Sequence, residues 1–389
     1  LDVLDDVQKT AVPEAYEAGV AAGLIKDVPD SVTDAFIVHV KAQSVLSPSD
    51  EIDRSVSVVY SPLNGTGLKP VLRTLKESGF TNITVVKEQE QPDGNFPTCP
   101  YPNPEIRQAM ELGIEYARLA DADLLIATDP DCDRIGMAVK DSSGDYVLIS
   151  GNEAGMLMLD YICAKRIENG TMPEKPAFVK SIVTTDMAAK IAEHYGVELI
   201  EVLTGFKYIG ESIRRLEEAG RPDSYIFGYE ESYGYLSGPY VRDKDAVDGA
   251  FIICEMFAYY KTRGVSLLEK LDELYRTYGY EVTKVTSFEF EGSSGFRKMQ
   301  EIMAGLRACP GEIAGRKADR MLDYAEGVDG LPSADVLRYF FDGGSVIVRP
   351  SGTEPKIKVY ISVSAATRDI AAAEEKDIRE KISAYLNHI

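Results

Sequence analysis

A chain of 389 residues exceeds one ordinary core and calls for about two to four domains, and its 44% hydrophobic and 27% charged residues exclude a disordered or fibrous protein. Its 63 acidic against 42 basic residues give a formal charge of -21, a field that repels nucleic acid and anionic membrane, so neither is expected as a partner. No apolar run approaches the ~20 residues of a membrane span, and five scattered cysteines with three isolated histidines argue against a disulfide framework, a zinc cluster or a Ser-His-Asp triad.

Residues 1–52 read as polar helix broken by Pro and Asp, with no strand, a remnant of a preceding domain. The opening LDVLDDVQ is acidic where a secretory signal is basic and then apolar, so a cytoplasmic protein, and a piece of a longer chain, is expected. SVSVVY at 55–60 predicts a strand running into SPLNGTG, LKPVLRTLKESG has helical periodicity, and NITVVK predicts a second strand. The unit recurs: Asn103 as N-cap and Pro104 as first helical residue open PNPEIRQAMELGIEYARLA, and DLLIAT follows as a strand. IGMAVK and YVLIS pair across DSSGD, a helix runs over 152–168, and residues 169–176 mark a boundary. Alternation restarts with strand AFVKSIV, helix AAKIAEHYG, strand VELIEV, loop TGFKYIG, helix ESIRRLEEAG and strand SYIFG. Beyond it come a helix over 296–307, an irregular acidic stretch, strands DVLRYFF, GSVIVRP and KIKVYISVSA, and a helix over 368–386. The predicted fold is α/β: two doubly wound-like α/β domains, 53–170 and 171–285, followed by a smaller α+β C-terminal domain, 286–389.

LLIATDPDCDRIG puts Asp129, Asp131 and Asp133 after an apolar strand, and in an extended segment residues i, i+2 and i+4 project to one side. Like charges ~4 Å apart repel by about 4 kcal/mol at an effective dielectric near 20, so the cluster calls for a cation. Oxygen-only donors at a strand end suit Mg2+; a solvated acidic turn is the other reading. Arg134 is placed either to neutralise a phosphate or to pair with the same aspartates, and Cys132 reads as a spacer. In IFGYEESYGYLSG, Glu230 and Ser232 can present a carboxylate and a hydroxyl to neighbouring hydroxyls of one sugar ring, with Glu231 pointing away, unless the segment is plain polar surface. In VRPSGTEPKIKVY, Arg349, Ser351 and Thr353 around Gly352 have the makings of a phosphate cradle, with a plain hairpin turn as the alternative.

In this order, DPDCDR, GYEESYG and RPSGTEP resemble the metal, sugar and phosphate loops of the α-D-phosphohexomutases. SPLNGTG, the PNPE turn at 102–105, TGFKYIG and YVRDKDAVDG extend the likeness from about residue 55 to the C-terminus, and it implies the second, third and fourth of that family's four domains. The resemblance implies Mg2+ on Asp129, Asp131 and Asp133, with Arg134 near the transferring phosphate. It implies Glu230 and Ser232 on the sugar, Thr204, Gly205, Phe206 and Lys207 lining its site, and Arg349, Ser351, Gly352 and Thr353 on the non-reacting phosphate. Arg242 and Lys244 would lie close to the reacting hydroxyl, with Lys244 as candidate proton shuttle or else a solvated lysine between Asp243 and Asp245.

The family's serine motif, of the form TASHNP, has no counterpart, since no serine precedes His-Asn. The implied activity is interconversion of hexose 1-phosphate and hexose 6-phosphate through a phosphoserine and a sugar 1,6-bisphosphate. The EES form of the sugar loop points to glucose, while a phosphopentomutase or a sugar-bisphosphate synthase of the same family would share the loops. Without the phosphoserine the chain is expected to be inactive alone, or to be a non-catalytic remnant that binds a small-molecule phosphosugar. A haloacid-dehalogenase-type phosphatase also places aspartates after an apolar strand, but its loop sits near the start of its domain and continues differently.

Overall fold

The computed structural model describes residues 13–290, 292–352 and 354–388. Before residue 53 the described chain holds two helices, Pro13–Ala21 and Asp30–Lys41, and no strand. The second helix buries Ile37 and Val40 and packs on the helices Leu68–Glu77 and Ala246–Thr262.

β1 (Val58–Ser61), β2 (Ile83–Val85), β3 (Leu124–Thr128), β4 (Ile135–Lys140) and β5 (Tyr146–Ile149) form one sheet in the order β2-β1-β3-β4-β5. The first three are parallel, and β4 and β5 run antiparallel. Alternating side chains cover both faces: Val58, Tyr60, Leu124 and Ile126 join the helices 68–77 and 246–262, while Val59, Leu125 and Ala127 meet Met110 and Ile114 of the helix Arg107–Leu119. Burial on both faces explains why these strands read as continuous apolar runs, each large side chain contributing about 1.5–3 kcal/mol. The helix expected to open at Asn103 and Pro104 starts instead at Arg107, with Ile106 at its N-cap. Asn103 is spent earlier: its Oδ1 accepts the Glu105 amide at 3.0 Å and its carbonyl the Ile106 amide at 2.9 Å, closing a turn ahead of the helix.

β6 (Ala177–Ser181), β7 (Glu198–Val202), β8 (Tyr225–Glu230) and β9 (Gly234–Leu236) form a second sheet, β7-β6-β8-β9, with only β9 antiparallel. The helix Gly151–Glu168 opens on a capping box, Ser150 with Glu153, and is buried nearly all round. It packs on β8 and on the helix Met187–His194, and the helix 246–262 touches β3, β4 and β9, so the two α/β units share one core. TGFKYIG is loop for only two residues. Gly205, at φ 122°, turns the chain straight into the helix Phe206–Glu218.

The rest of the chain builds an antiparallel sheet from β10 (Tyr280–Glu289), β13 (Arg320–Asp323), β14 (Leu337–Phe341), β15 (Gly344–Pro350) and β16 (Lys356–Ala365), in the order β10-β16-β15-β14-β13. A small hairpin, β11 (Glu312–Ile313) with β12 (Arg316–Lys317), lies in the stretch expected to be irregular. The helices Gly292–Arg307 and Arg368–His388 pack against this sheet. β10 pairs with β16 along its whole length, so the sheet runs across position 285, where the chain was expected to divide. No described helix is long and apolar enough to cross a membrane.

Candidate functional site

All three polar segments singled out in the sequence close β-hairpins. Thr128 pairs with Ile135 around the aspartates, Glu230 with Gly234 around Glu231 and Ser232, and Pro350 with Ile357 around Ser351 and Gly352.

The aspartates converge through a turn, not through the extended segment expected from their spacing. The Cys132 amide donates to the Asp129 carbonyl at 3.0 Å, and Cys132 takes φ 59°. One ligand oxygen from each of Asp129, Asp131 and Asp133 then lies within 4.8 Å of the others. Burial, then the charge of Asp245, pushes the Cys132 thiol up and keeps it a neutral spacer. Asp129 is fully buried; its Oδ1 accepts the amides of Asp133 and Arg134 at 3.1 and 2.9 Å, and its Oδ2 accepts Arg134 Nε at 2.6 Å. Burial nevertheless pushes the Asp129 carboxyl up against the pull of Arg134. Three crowded carboxylates with no sulfur or imidazole among them fit a hard divalent cation such as Mg2+, which binds oxygen at about 2.1 Å.

SPLNGTG supports this turn from beneath. Leu63 and Asn64 take positive φ, and the Thr66 amide and hydroxyl both donate to the Pro130 carbonyl, at 2.8 and 3.1 Å. Gly65 permits that approach, because a Cβ there would stand 2.3 Å from Pro130 Cα.

Backbone bonds tie the aspartate turn to its neighbours: Ile135 N donates to the Tyr233 carbonyl at 3.0 Å and Ala246 N to the Cys132 carbonyl at 3.1 Å. Lys244 reaches across and hydrogen-bonds Asp133 Oδ2. Burial works against its ammonium, but Asp133, with Asp243 and Glu230, outweighs burial and raises its pKa. Glu230 is buried and accepts the Gly205 amide at 2.6 Å. Burial pushes its carboxyl up; that hydrogen bond, Lys244 and Arg349 pull it back. Arg349 also acts on Tyr360 and stands directly across the hairpin from Lys358. Lys358 was not singled out from the sequence, because only the β15–β16 register puts it opposite Arg349.

Glu105 of the PNPE turn, quoted in the sequence without a role, lies in the field of Arg134 and Lys358, although burial pushes its carboxyl up. It lines a cavity of about 660 Å³ together with Glu231, Ser232 and Lys358. Glu231 turns away from the partners of Glu230, toward Ser181 Oγ at 3.2 Å and Thr184 Oγ1 at 3.4 Å, and burial followed by the charge of Glu230 raises its carboxyl to about 7.

The remaining residues have other partners. Arg242 pairs with Glu217 at 2.5 Å, on the last turn of the helix 206–218. Phe206 is buried among Val179, Val202 and Ile209, and Lys207 is exposed with its ammonium 4.9 Å from the Tyr208 ring centre. Thr204 Oγ1 is buried without a partner among the described residues. Ser351 N donates to the Lys356 carbonyl at 2.7 Å and Ser351 Oγ accepts the Glu354 amide at 3.2 Å, the frame of a hairpin turn, and Gly352 at its tip is exposed. Thr353 lies outside the described residues.

Models of one family match the chain in three consecutive pieces: phosphoglucomutase/phosphomannomutase alpha/beta/alpha domain II over residues 34–144, alpha/beta/alpha domain III over 150–278, and the C-terminal domain over 300–381. A phosphoglucomutase of Staphylococcus aureus (strain MRSA252) is 36% identical over 375 residues, 93% of this chain and 64% of that protein, so the chain spans just under two thirds of that curated relative. A phosphoglucomutase/phosphomannomutase family protein from Burkholderia thailandensis superposes with a TM-score of 0.64 at 18% identity, over 91% of this chain and 64% of that one. Aspergillus fumigatus N-acetylphosphoglucosamine mutase, in complex with GlcNAc-6P and magnesium, superposes with a TM-score of 0.51 at 15% identity, over 89% and 68%. At these identities the solved structures speak to the fold, which is the one described above. The chain belongs to the phosphoglucomutase/phosphomannomutase family.

Proposed function

We propose that the cleft binds Mg2+ and a hexose phosphate, and that it serves a mutase interconverting hexose 1-phosphate and hexose 6-phosphate, with glucose as the favoured sugar. One observation supports this reading: Lys244 hydrogen-bonds Asp133, and Lys244 and Arg349 both pull down the carboxyl of Glu230, so the three hairpins come near enough for their charges to act on one another.

Asp129, Asp131 and Asp133 would hold the cation, which when bound supplies positive charge beside a transferring phosphoryl group. The Aspergillus relative, with magnesium and GlcNAc-6P together, supports that pairing of ligands. Glu230 accepts from a sugar hydroxyl, and Ser232 can donate to or accept from its neighbour. Arg349, Lys358, Ser351, Gly352 and Thr353 offer guanidinium, ammonium, hydroxyl and backbone N–H to the phosphate that does not react. Positioning of this kind is most of what a protein contributes to phosphoryl transfer. Lys244, held protonated by Asp133, serves first as a cationic clamp, and it can accept a proton from a sugar hydroxyl only after leaving that contact and giving up the proton it carries. Arg242 would have to leave Glu217 to join the cleft.

The serine that carries phosphate through the sugar 1,6-bisphosphate lies outside these 389 residues, since none here precedes His-Asn. The chain alone is therefore expected to bind phosphosugar without turning it over. Calorimetric titration with glucose 6-phosphate in Mg2+ tests the site. Binding that disappears in Arg349→Gln and Glu230→Gln is expected; no binding, or binding indifferent to both, refutes the reading. With a phosphoserine supplied, preference for ribose 1-phosphate over glucose 1-phosphate would overturn the choice of sugar and favour a phosphopentomutase.

A further inference from the structure

Glu231 stands between the two residues assigned to the sugar, Glu230 and Ser232, yet its own side chain turns the other way. Its Oε2 meets Ser181 Oγ at 3.2 Å, at the end of β6, and Thr184 Oγ1 at 3.4 Å, while the two hydroxyls stand 2.8 Å from each other. Three oxygens thus make three mutual contacts, and each is a hydrogen bond only if a proton lies in it. The hydroxyls carry two protons between them, and both are buried, away from bulk water. The shortest contact, Ser181 to Thr184, takes one, and the other serves one of the two contacts to Glu231. The ring closes only when the carboxyl supplies the third.

We infer that Glu231, with its proton in place, is a positioning residue: it pins the tip of the sugar hairpin to the end of β6 and so holds Glu230 and Ser232 at the sugar, a purpose that rests on the phosphosugar reading. The hairpin needs such support. β8 and β9 pair over only three residues each, and Tyr233 at the tip takes φ 69°. The tip is also seated closely on the helix 151–168, since a Cβ at Gly151 would collide with the Glu231 carbonyl. The surroundings favour the proton: burial first, then the charges of Glu230 on the same hairpin and Glu105 of the PNPE turn, raise the Glu231 carboxyl to about 7. Tyr229 of β8 and Tyr360 of β16 lie in its field and stay neutral, both pushed up by burial. Lys180 of β6 donates to the Thr184 carbonyl at 3.0 Å and pairs with Asp186 and Glu201, while Glu153, Glu281 and Lys358 line the same cavity as Glu231. The pin is therefore closed below about 7 and opens as pH rises through that value.

Two measurements on the full chain test this, the first without sugar. Glu231→Gln keeps an uncharged donor and acceptor at every pH, and Glu231→Leu removes both. Hydrogen exchange of residues 229–236 is compared at equal pH, which cancels the intrinsic pH dependence of exchange. At about pH 6 the wild type should match Glu231→Gln; at about pH 8, where only about a tenth of the carboxyls keep the proton, it should exchange about three- to tenfold faster. Glu231→Leu should exchange fast at both, while β3 stays as protected as in the wild type, which separates a loosened hairpin from a lost fold. Calorimetric titration with glucose 6-phosphate in Mg2+ should follow the same pattern, the affinity of Glu231→Gln over that of the wild type rising from about 1 to about 3–10 between the two pH values. Equal exchange in all three chains overturns the inference, as does a Glu231→Gln hairpin as loose as that of Glu231→Leu. So does a hairpin that loosens as described while glucose 6-phosphate affinity stays equal in all three. The described exchange pattern in a chain that binds no glucose 6-phosphate would uphold the pin and refute the phosphosugar reading instead.

Discussion

Alanine at Gly65 would place a Cβ 2.3 Å from Pro130 Cα and 2.5 Å from its carbonyl oxygen, where carbon contacts are comfortable only at about 3.5–4.0 Å. Both are backbone atoms of the aspartate turn, so relief requires residues between Asp129 and Asp131 to move by about 1 Å. Pro130 O also accepts two hydrogen bonds from Thr66, each worth about 0.5–1.5 kcal/mol net, so the loops cannot part freely. Strain and weakened bonds together should cost about 2–4 kcal/mol, enough to lower the melting temperature without unfolding the chain. Mg2+ affinity should fall by about 10–100-fold, the usual effect of disturbing the groups that orient metal ligands. Calorimetric Mg2+ titration beside thermal unfolding measures both. A Gly65→Ala variant with a lowered melting temperature and unchanged Mg2+ affinity would refute the placement of the cation on this turn. If neither changed, SPLNGTG would not be its support.

Gly352→Ala is the contrasting case, since nothing lies within 4 Å of its would-be Cβ. Stability should change by less than about 0.5 kcal/mol while glucose 6-phosphate affinity drops, and unchanged affinity in calorimetry would sink the phosphate cradle. Asp248, buried beside Asp245 and near Glu255, has its carboxyl raised from 3.8 to about 7 by burial and then by Asp245. The folded chain keeps a proton that the unfolded chain releases, so stability should fall as pH rises from 3.8 through about 7, by on the order of 4 kcal/mol. Asp248→Asn should flatten that fall in urea titrations at acid and neutral pH, and an equal fall in both proteins would contradict the assignment. Arg338, buried on β14, pairs with Asp186 at 3.0 Å and Glu201 at 3.3 Å, both also held by the buried Lys180 of β6. Arg338→Met should cost about 1–3 kcal/mol by urea unfolding, because it leaves Asp186 and Glu201, both partly exposed, to share the single cation Lys180 between the second and third sheets; a loss under about 0.5 kcal/mol would show the network to be dispensable.

The fold was legible where burial is two-sided and local. LLIAT, AFVKS and YIFGYE read as strands because both their faces are covered, and Phe206, Ile209, Ile213 and Leu216 could have been read as a helical stripe beginning at the residue after Gly205. Ser150-x-x-Glu153 likewise carried a capping box that fixes its helix start. β10 was not legible, since much of YEVTKVTSFE stays half-exposed and its partner β16 arrives 67 residues later. Within the site, residue types suggested the metal and phosphate chemistry proposed for DPDCDR and RPSGTEP, but not the left-handed Cys132 that makes the aspartates converge. Nor could they reveal the register that sets Lys358 across from Arg349, or the Glu217 carboxylate that holds Arg242 aside.

Cation and phosphosugar share one cleft only if each senses the other. With Mn2+ in place of Mg2+, an ion of similar preference for oxygen donors, phosphorus relaxation of bound glucose 6-phosphate measures that directly. Strongly enhanced relaxation is predicted, abolished by Asp131→Asn through loss of the ion and by Arg349→Gln through loss of the sugar. A phosphosugar that binds alongside Mn2+ yet relaxes as it does with Mg2+ would contradict a common cleft.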